Sequence, residues 1–247
     1  MDTIRFPLRH QALATLSLLL AACPLSLTAQ LPKPSAKRGH VSLFDGRGFG
    51  DWAGDPAVWR VEGGALVGEV TPERQIRTNS FLIWRGGRPA DFDFVAEYRI
   101  SPGGNSGVNY RSEEVAGVPF AVKGYQADID GANTYTGQNY EERGRGFLAM
   151  RGQQAVLEAG AKPRITGSLG DGEALKAHIR QDGWNELRLV VQGNRMRHYV
   201  NGVLMSETTD NDAGLRKDEG LLCLQVHTGP SMKVEYRNLR MKTLRKE

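Results

Sequence analysis

Apolar and polar residues alternate along most of this chain with a period of two. Phe92, Phe94, Ala96, Tyr98 and Ile100 share one phase, while Asp93, Val95, Glu97 and Arg99 share the other. Tyr125, Ala127 and Ile129 alternate with Gln126, Asp128 and Asp130, and Leu222, Leu224 and Val226 alternate with Cys223, Gln225 and His227. Such spacing marks a strand with one buried face, because a helix returns to the same face only every third or fourth residue. Turn residues separate the runs. Gly63-Gly64 splits Val58–Glu62 from Ala65–Glu69 as a hairpin. Gly193-Asn194 and Asn201-Gly202 cut Trp184–Leu204 into three strands, the second pair being a favoured two-residue hairpin turn. Met232 to Leu244 alternates again and reads as the closing strand, and the one short helix falls around Gly172–Arg180. Roughly a dozen strands at this spacing, with no linker between Val41 and Leu244, predict one all-β domain of two antiparallel sheets, a sandwich or jelly roll.

The N-terminus obeys a different pattern. Arg5, Arg9 and His10 precede the apolar run Ala12–Ala22, and small residues around Pro24 lead to Leu27-Thr28-Ala29 before Gln30. That order is a secretory signal peptide over residues 1–29. The apolar run is shorter than the about 20 residues needed to span a bilayer. Two processing sites compete. Leu20-Ala21-Ala22-Cys23 resembles a lipobox that would anchor the protein through Cys23, whereas the LTAQ ending suits cleavage after Ala29 and release. Pro24 directly after the cysteine favours release, so the expected location is periplasmic or extracellular. Residues 30–40, rich in Pro, Lys and Ser at their start, read as a flexible leader to a domain covering 41–247.

Composition changes the picture in two ways. Cleavage after Ala29 removes Asp2, Arg5 and Arg9 and takes the formal charge from +4 to +3, too small and too dispersed for a nucleic-acid surface. It also leaves Cys223 as the only cysteine, so core burial and not a disulfide must stabilise the domain. No second long apolar stretch follows, and no transmembrane segment is expected in the mature protein.

Candidate chemistry lies in the polar phase of the strands. Glu97, Asn109, Arg111, Gln126, Asp128, Gln225 and His227 form a palette of amides, carboxylates, a guanidinium and an imidazole suited to sugar hydroxyls. A second group lies in the Gly-rich segment 134–146, read as a loop, with Tyr140, Glu141, Arg143 and Arg145; there Glu141–Arg143 and Glu142–Arg145 pairs would neutralise one another. Asn105 belongs to another Gly-rich turn without the following helix that a phosphate loop requires. His178, His198 and His227 lack zinc-ligand spacing, and His198 beside its hairpin reads as structural. Asp128 and Asp130 share a strand face, a spacing open to a divalent cation such as calcium. No nucleophile elbow, Walker loop or dinucleotide fingerprint occurs.

The succession LFDGRGFGDW (43–52), VWRVEGGALVG (58–68), NSFLIW (79–84), DFVAEYRI (93–100) and GGNSGVNYRS (103–112) resembles the 3-keto-disaccharide hydrolase-like domain family. GYQADI (124–129), YEERGRGFLA (140–149), WNELRLVVQGNRMRHYVNG (184–202) and LQVHTGP (224–230) continue the resemblance in order. It implies a concanavalin A-like jelly-roll sandwich with its ligand on one sheet face, and a 3-keto-glucoside 1,2-lyase or 3-keto-2-hydroxyglucal hydratase activity. Such chemistry needs a base for the C2 hydrogen, a stabiliser for the enolate and an acid for the leaving group. His227, Glu97, Glu141 and Asp128 are the candidate acid–base groups, and Arg111 and Arg143, or a divalent ion, the enolate stabilisers. A conventional two-carboxylate glycosidase on the same fold is a rival reading, although the Glu-x-Asp-x-x-Glu strand pattern is absent; a non-catalytic carbohydrate-binding module is another. The processed protein is expected to begin at Gln30 by mass spectrometry, and a diacylglycerol adduct on Cys23 would identify the lipobox instead.

Overall fold

The computed structural model describes Met1, Asp2 and residues 39–229 and 231–245. Residues 3–38, which hold most of the expected signal segment, Cys23 and nearly all of the expected leader, lie outside the described residues. Within the compact unit Ser35–Glu247, two sheets are packed face to face. The ten-stranded sheet contains β1 (Val41–Ser42), β3 (Trp59–Glu62), β4 (Ala65–Val70), β6 (Phe92–Ile100), β11 (Gln153–Leu157), β12 (Arg164–Ser168), β13 (Asn185–Gln192), β14 (Arg195–Val200), β15 (Val203–Asp210) and β17 (Met232–Thr243). The seven-stranded sheet contains β2 (Trp52–Ala53), β5 (Ser80–Trp84), β7 (Asn105–Glu114), β8 (Val122–Asp130), β9 (Asn139–Glu142), β10 (Gly146–Ala149) and β16 (Leu221–Val226). Among the described residues the one α-helix, α1 (Gly172–Lys176), is N-capped by Asp171. No helix among the described residues is long and apolar enough to cross a membrane.

The strand order is β12-β11-β15-β14-β13-β6-β17-β4-β3 in the larger sheet and β10-β9-β8-β7-β16-β5-β2 in the smaller. All named pairings are antiparallel except β11 with β15. Neighbours distant in sequence, such as β6 beside β17 and β7 beside β16, give the jelly-roll character. The three hairpin turns expected from sequence join β3–β4, β13–β14 and β14–β15. Asn201 and Gly202 both adopt positive φ, as a two-residue hairpin turn demands. The segment 134–146 is not one loop: it contains all of β9 and the start of β10.

The inter-sheet core is built by one phase of each strand. Phe92, Phe94, Ala96 and Tyr98 of β6 meet Val108 and Tyr110 of β7, Tyr125, Ala127 and Ile129 of β8, and Leu222, Leu224 and Val226 of β16. Burial of this apolar set is the main stabilising term, at roughly 25 cal/mol per Å² of surface removed from water. Polar bridges also cross the layer, among them two made by tyrosines of the seven-stranded sheet. The Tyr110 hydroxyl lies 2.8 Å from Nε2 of His198, whose Nδ1 is 3.2 Å from the Gln138 carbonyl. Total burial lowers the His198 pKa to about 4, so the ring stays neutral in the core, as a structural histidine should. The second bridge runs from the Tyr125 hydroxyl to Asp210, at 2.6 Å.

Two sequence expectations fail here for identifiable reasons. Glu97 does occupy the outward phase of β6, but β6 belongs to the larger sheet, so Glu97 lies across the sandwich from the other polar candidates. There it accepts hydrogen bonds from Arg237 at 2.7 Å and Asn238 at 2.9 Å. Arg111 leaves the expected face because β7 bulges: its φ is +47° and the β7–β8 register shifts between Tyr110 and Glu113. Its buried guanidinium donates to the carbonyls of Ala90, Gly193 and Lys217 and to Asp91. Arg111 therefore ties three connections together, away from the face on which it was expected. Arg111→Met would leave three carbonyls without this donor and Asp91 with the Gly193 amide but no counter-charge, and should cost about 3–5 kcal/mol of stability in urea unfolding. A loss below about 1 kcal/mol would show that the guanidinium is dispensable.

Candidate functional site

The outer face of the seven-stranded sheet divides into an apolar and a polar end. Phe81 and Ile83 of β5, Leu221 and Cys223 of β16 and Val122 of β8 form a small buried cluster at one end. Toward the other, a pocket of about 290 Å³ is lined by Asn79, Asn105, Gln126, Asp128, Glu142 and His227, and by three aromatic rings, Tyr135, Tyr140 and Phe147.

Strand geometry explains this assembly. Since Tyr125, Ala127 and Ile129 face the core, Gln126, Asp128 and Asp130 must face outward. Pairing of Gln126 with Tyr140 and of Gly124 with Glu142 then sets Tyr140 and Glu142 on the same outer face. Glu141, opposite Tyr125, points inward instead. It accepts from the Arg145 guanidinium at 2.5 Å and the Arg145 amide at 3.0 Å, and Arg145 also grips Asp210 at 2.6 Å. Glu141 and Arg145, both expected at the ligand, are thus structural partners on the far side of β9. Residue 142, one position along, holds the pocket carboxylate that reading the segment as a loop concealed.

Asp128 is the chemical centre of the pocket. Its Oδ1 accepts from Gln126 Nε2 at 2.7 Å and its Oδ2 from Gln138 Nε2 at 2.8 Å. These bonds favour the carboxylate, yet desolvation outweighs them, aided by the charges of Asp130 and Glu142, and pushes the pKa up to about 7. The amide relay continues across the sheet: Gln225 Nε2 donates to Gln126 Oε1 at 2.9 Å and to Glu142 Oε2 at 3.3 Å. Gly107 of β7 makes room for it, because a Cβ there would lie 2.6 Å from the Gln126 side chain. Asp128 and Glu142 are therefore linked through two glutamines.

Glu142 is also raised by burial, against the opposing charges of Arg143 and His227 and the bonds from Asn79 and Gln225. Asn79 Nδ2 lies 3.4 Å from Glu142 Oε1, while Asn79 Oδ1 accepts from the Thr228 amide at 3.0 Å. The neighbouring His227 places Nδ1 2.5 Å from the Thr228 carbonyl. A carbonyl can only accept, so Nδ1 is the donor in this contact. Tyr140 is held as the neutral phenol by burial and by the charges of Glu142 and Asp128. Arg143 stands at the rim, Nε 3.9 Å from Glu142 Oε1 and Nη2 2.5 Å from Thr78 Oγ1.

Among the sequence candidates, the structure brings together His227, Asp128, Asn105, Gln126, Tyr140 and Gln225, with Arg143 at the edge. It does not bring in Glu97, Glu141, Arg111 or Arg145. Asn109 sits on the correct face but is wholly buried beside Gln126 and Cys223 and does not line the pocket. Sequence reasoning missed Asn79, Tyr135, Glu142 and Phe147 as site residues; only Glu142 carried a signal, the alternation Tyr140/Glu142 against Asn139/Glu141. A calcium site at Asp128 and Asp130 does not fit. The Asp130 carboxylate is engaged by the amides of Thr134, Tyr135 and Thr136 and the Thr136 hydroxyl. Among the described residues no group of three or more His, Cys, Asp or Glu is placed to hold a metal ion. A larger cavity, of about 500 Å³, lies beside Arg111 and Asp91, but those two groups already bond each other and backbone.

Comparison with known proteins agrees with this architecture. Residues 39–242 match the family described as 3-keto-alpha-glucoside-1,2-lyase-like domain. A 3-keto-disaccharide hydrolase of Bacteroides thetaiotaomicron is 22% identical over 246 residues, covering 87% of this chain and 81% of its own. The Bacillus subtilis carbohydrate-binding module CBM66 superposes with a TM-score of 0.51 at 16% identity, covering 78% of this chain and 95% of that one. A Bacillus subtilis protein of unknown function with a galectin-like fold gives 0.52 at 12% identity, covering 84% and 96%. The two structural likenesses show the fold alone.

The raised pKa of Asp128 has a sign that can be measured. Between its unfolded value near 3.8 and about 7 the folded protein holds a proton that the unfolded chain has lost. Stability from this group is therefore full below about 4 and declines as pH rises to about 7. The difference in unfolding free energy between wild type and Asp128→Asn should shift in favour of the variant across that window. Parallel pH profiles would mean that Asp128 is ionised throughout.

Proposed function

The chain belongs to the 3-keto-alpha-glucoside-1,2-lyase-like domain family, and from that premise we propose that it cleaves 3-keto-glycosides by elimination across C1 and C2, with hydration of the product completing a net hydrolysis. The observation that carries this reading is a buried carboxyl group with a pKa of about 7 in the same pocket as a second raised carboxyl and an imidazole held at Nδ1 by a backbone carbonyl. Elimination beside a ketone needs a base, an enolate stabiliser and a leaving-group acid, and perturbed groups gathered in one pocket are the usual mark of such a site.

In the proposed sequence the C3 ketone acidifies the C2 hydrogen, and His227 Nε2 removes it. Charge then develops on the C3 oxygen. Protonated Asp128 donates a hydrogen bond to that oxygen, and the Gln126–Gln138 clamp holds the carboxyl in place. A donor fixed in a desolvated pocket stabilises such charge without reorganising at the moment of reaction. The enolate pair collapses to form the C1–C2 double bond, the C1–O bond breaks, and Glu142 delivers the proton that the leaving oxygen takes up. Water added across the double bond, with its proton to C2 and its hydroxyl to C1, yields the free 3-keto sugar. Asn105, Gln126 and Tyr140 supply hydrogen-bonding groups for the ring hydroxyls.

Three variants test the reading. His227→Ala and Glu142→Gln should each lower kcat on a 3-keto-glucoside by about 100-fold or more, the usual size of an acid–base contribution. Glu141→Gln should instead reduce stability, because it breaks the Arg145 pair behind β9. Turnover retained in both His227→Ala and Glu142→Gln would remove them from the mechanism and favour a carbohydrate-binding role.

A further inference from the structure

The pocket has two chemically different halves. Asn79, Asn105, Gln126, Asp128, Glu142 and His227 make one half; Tyr135, Tyr140 and Phe147 make the other. Two of these rings stand well into solvent, Tyr135 at 39% exposure and Phe147 at 49%. They stack on each other with centroids 6.1 Å apart and planes 22° from parallel. Tyr140 meets Phe147 edge-on at 5.1 Å. A single exposed apolar residue needs no explanation, but a cluster of rings bordering a polar cleft marks a binding surface.

The platform is also built to stay in place. The Tyr135 amide donates to Asp130 at 2.8 Å, and Arg151 donates to the carbonyls of Asn133 and Thr136 on either side. Asn133 is further tied to Gln181 at 3.1 Å. Phe147 sits on β10, directly opposite Tyr140 of β9. The rings are thus held ready for a ligand, which lowers the ordering cost of binding.

Hydroxyl groups around a sugar ring require donors and acceptors, and the pocket offers these in its polar half. The aromatic half rewards a flat ring with few hydroxyls at its rim. A pocket of about 290 Å³ is at the small end for a ligand site, sized for one enclosed ring with a second lying across its mouth. We infer that the Tyr135–Phe147 platform is a leaving-group subsite that selects 3-keto-glycosides whose aglycone is a planar aromatic ring. The inference rests on the reading of the polar half as the 3-keto-glycoside site. The aryl ring stacks on Phe147 and Tyr135, which draws the C1–O bond toward Glu142.

The test compares phenyl and methyl 3-keto-glucosides of both anomers, with 3-keto-disaccharides as a third arm, on wild type, Tyr135→Ala, Phe147→Ala and Phe147→Tyr. Both alanine variants should lower the phenyl-to-methyl ratio of kcat/KM by about tenfold, mainly through KM, the scale expected for losing one stacking partner. Phe147→Tyr should restore the ratio. An unchanged ratio in both alanine variants overturns the subsite, as does a wild-type preference for a glucosyl over a phenyl leaving group. If wild type turns over none of these compounds, the catalytic reading fails, and calorimetry on phenyl and methyl glucosides decides the subsite alone. There Phe147→Ala must weaken phenyl binding about tenfold more than methyl binding, and equal weakening refutes the platform.

Discussion

Strand β8 is buried on both faces, and the molecule is arranged around what that requires. Inward, Tyr125, Ala127 and Ile129 are fully enclosed in the inter-sheet core. Outward, Gln126, Asp128 and Asp130 are each less than a tenth exposed. Polar groups removed from water on this scale must find partners or cost several kcal/mol each. Gln138 and Gln225 supply them for Asp128 and Gln126, and the amides of residues 134–136 supply them for Asp130. The loop between β8 and β9 is therefore shaped by the need to satisfy Asp130, and that shape carries Tyr135 to the pocket mouth.

The same burial shifts the ionisation of Asp128. A carboxyl with two amide donors would ordinarily ionise easily, but enclosure of Asp128 overrides the donors and leaves it poised near neutrality. Its hydrogen bonds then act mainly on orientation. Behind the site, Arg145 clasps Glu141 and Asp210 and fixes β9 against the larger sheet. That anchoring settles which of two adjacent glutamates turns toward the pocket.

The outer face of the larger sheet shows what an undemanding polar surface looks like. Arg99–Glu235, Arg237–Glu97 and Arg60–Glu69 are ion pairs with one or both partners open to solvent. Pairs of this kind contribute little individually. Glu97 and Glu235 line open hollows on this surface beside their arginine partners, whereas the Asp128 carboxyl is enclosed. The contrast between Glu97 and Asp128, both in the outward phase of their strands, is one of enclosure and not of residue type.

Sequence alone determined the phase of each strand, because a period of two leaves only one way to bury Phe92, Phe94 and Tyr98 or Tyr125, Ala127 and Ile129. That sufficed for an all-β sandwich, for its hairpins, and for Gln126, Asp128, Gln225 and His227 facing away from the core. Phase says nothing of which sheet a strand joins, and so Glu97 was grouped with residues across the sandwich. Nor does it survive a bulge: the positive φ at Arg111 sends that side chain into the loops at the sheet's end. Where no alternation was read, between residues 134 and 146, only pairing of β9 with β8 decided that Glu142 and Tyr140 face the pocket and Glu141 the core. Of the aromatic rim, sequence picked out only Tyr140, since Tyr135, Tyr140 and Phe147 meet only through the fold of the β8–β9 loop and the β9–β10 hairpin. Local periodicity is a property of the chain, whereas sheet membership, register and enclosure are set by contacts between residues far apart in sequence.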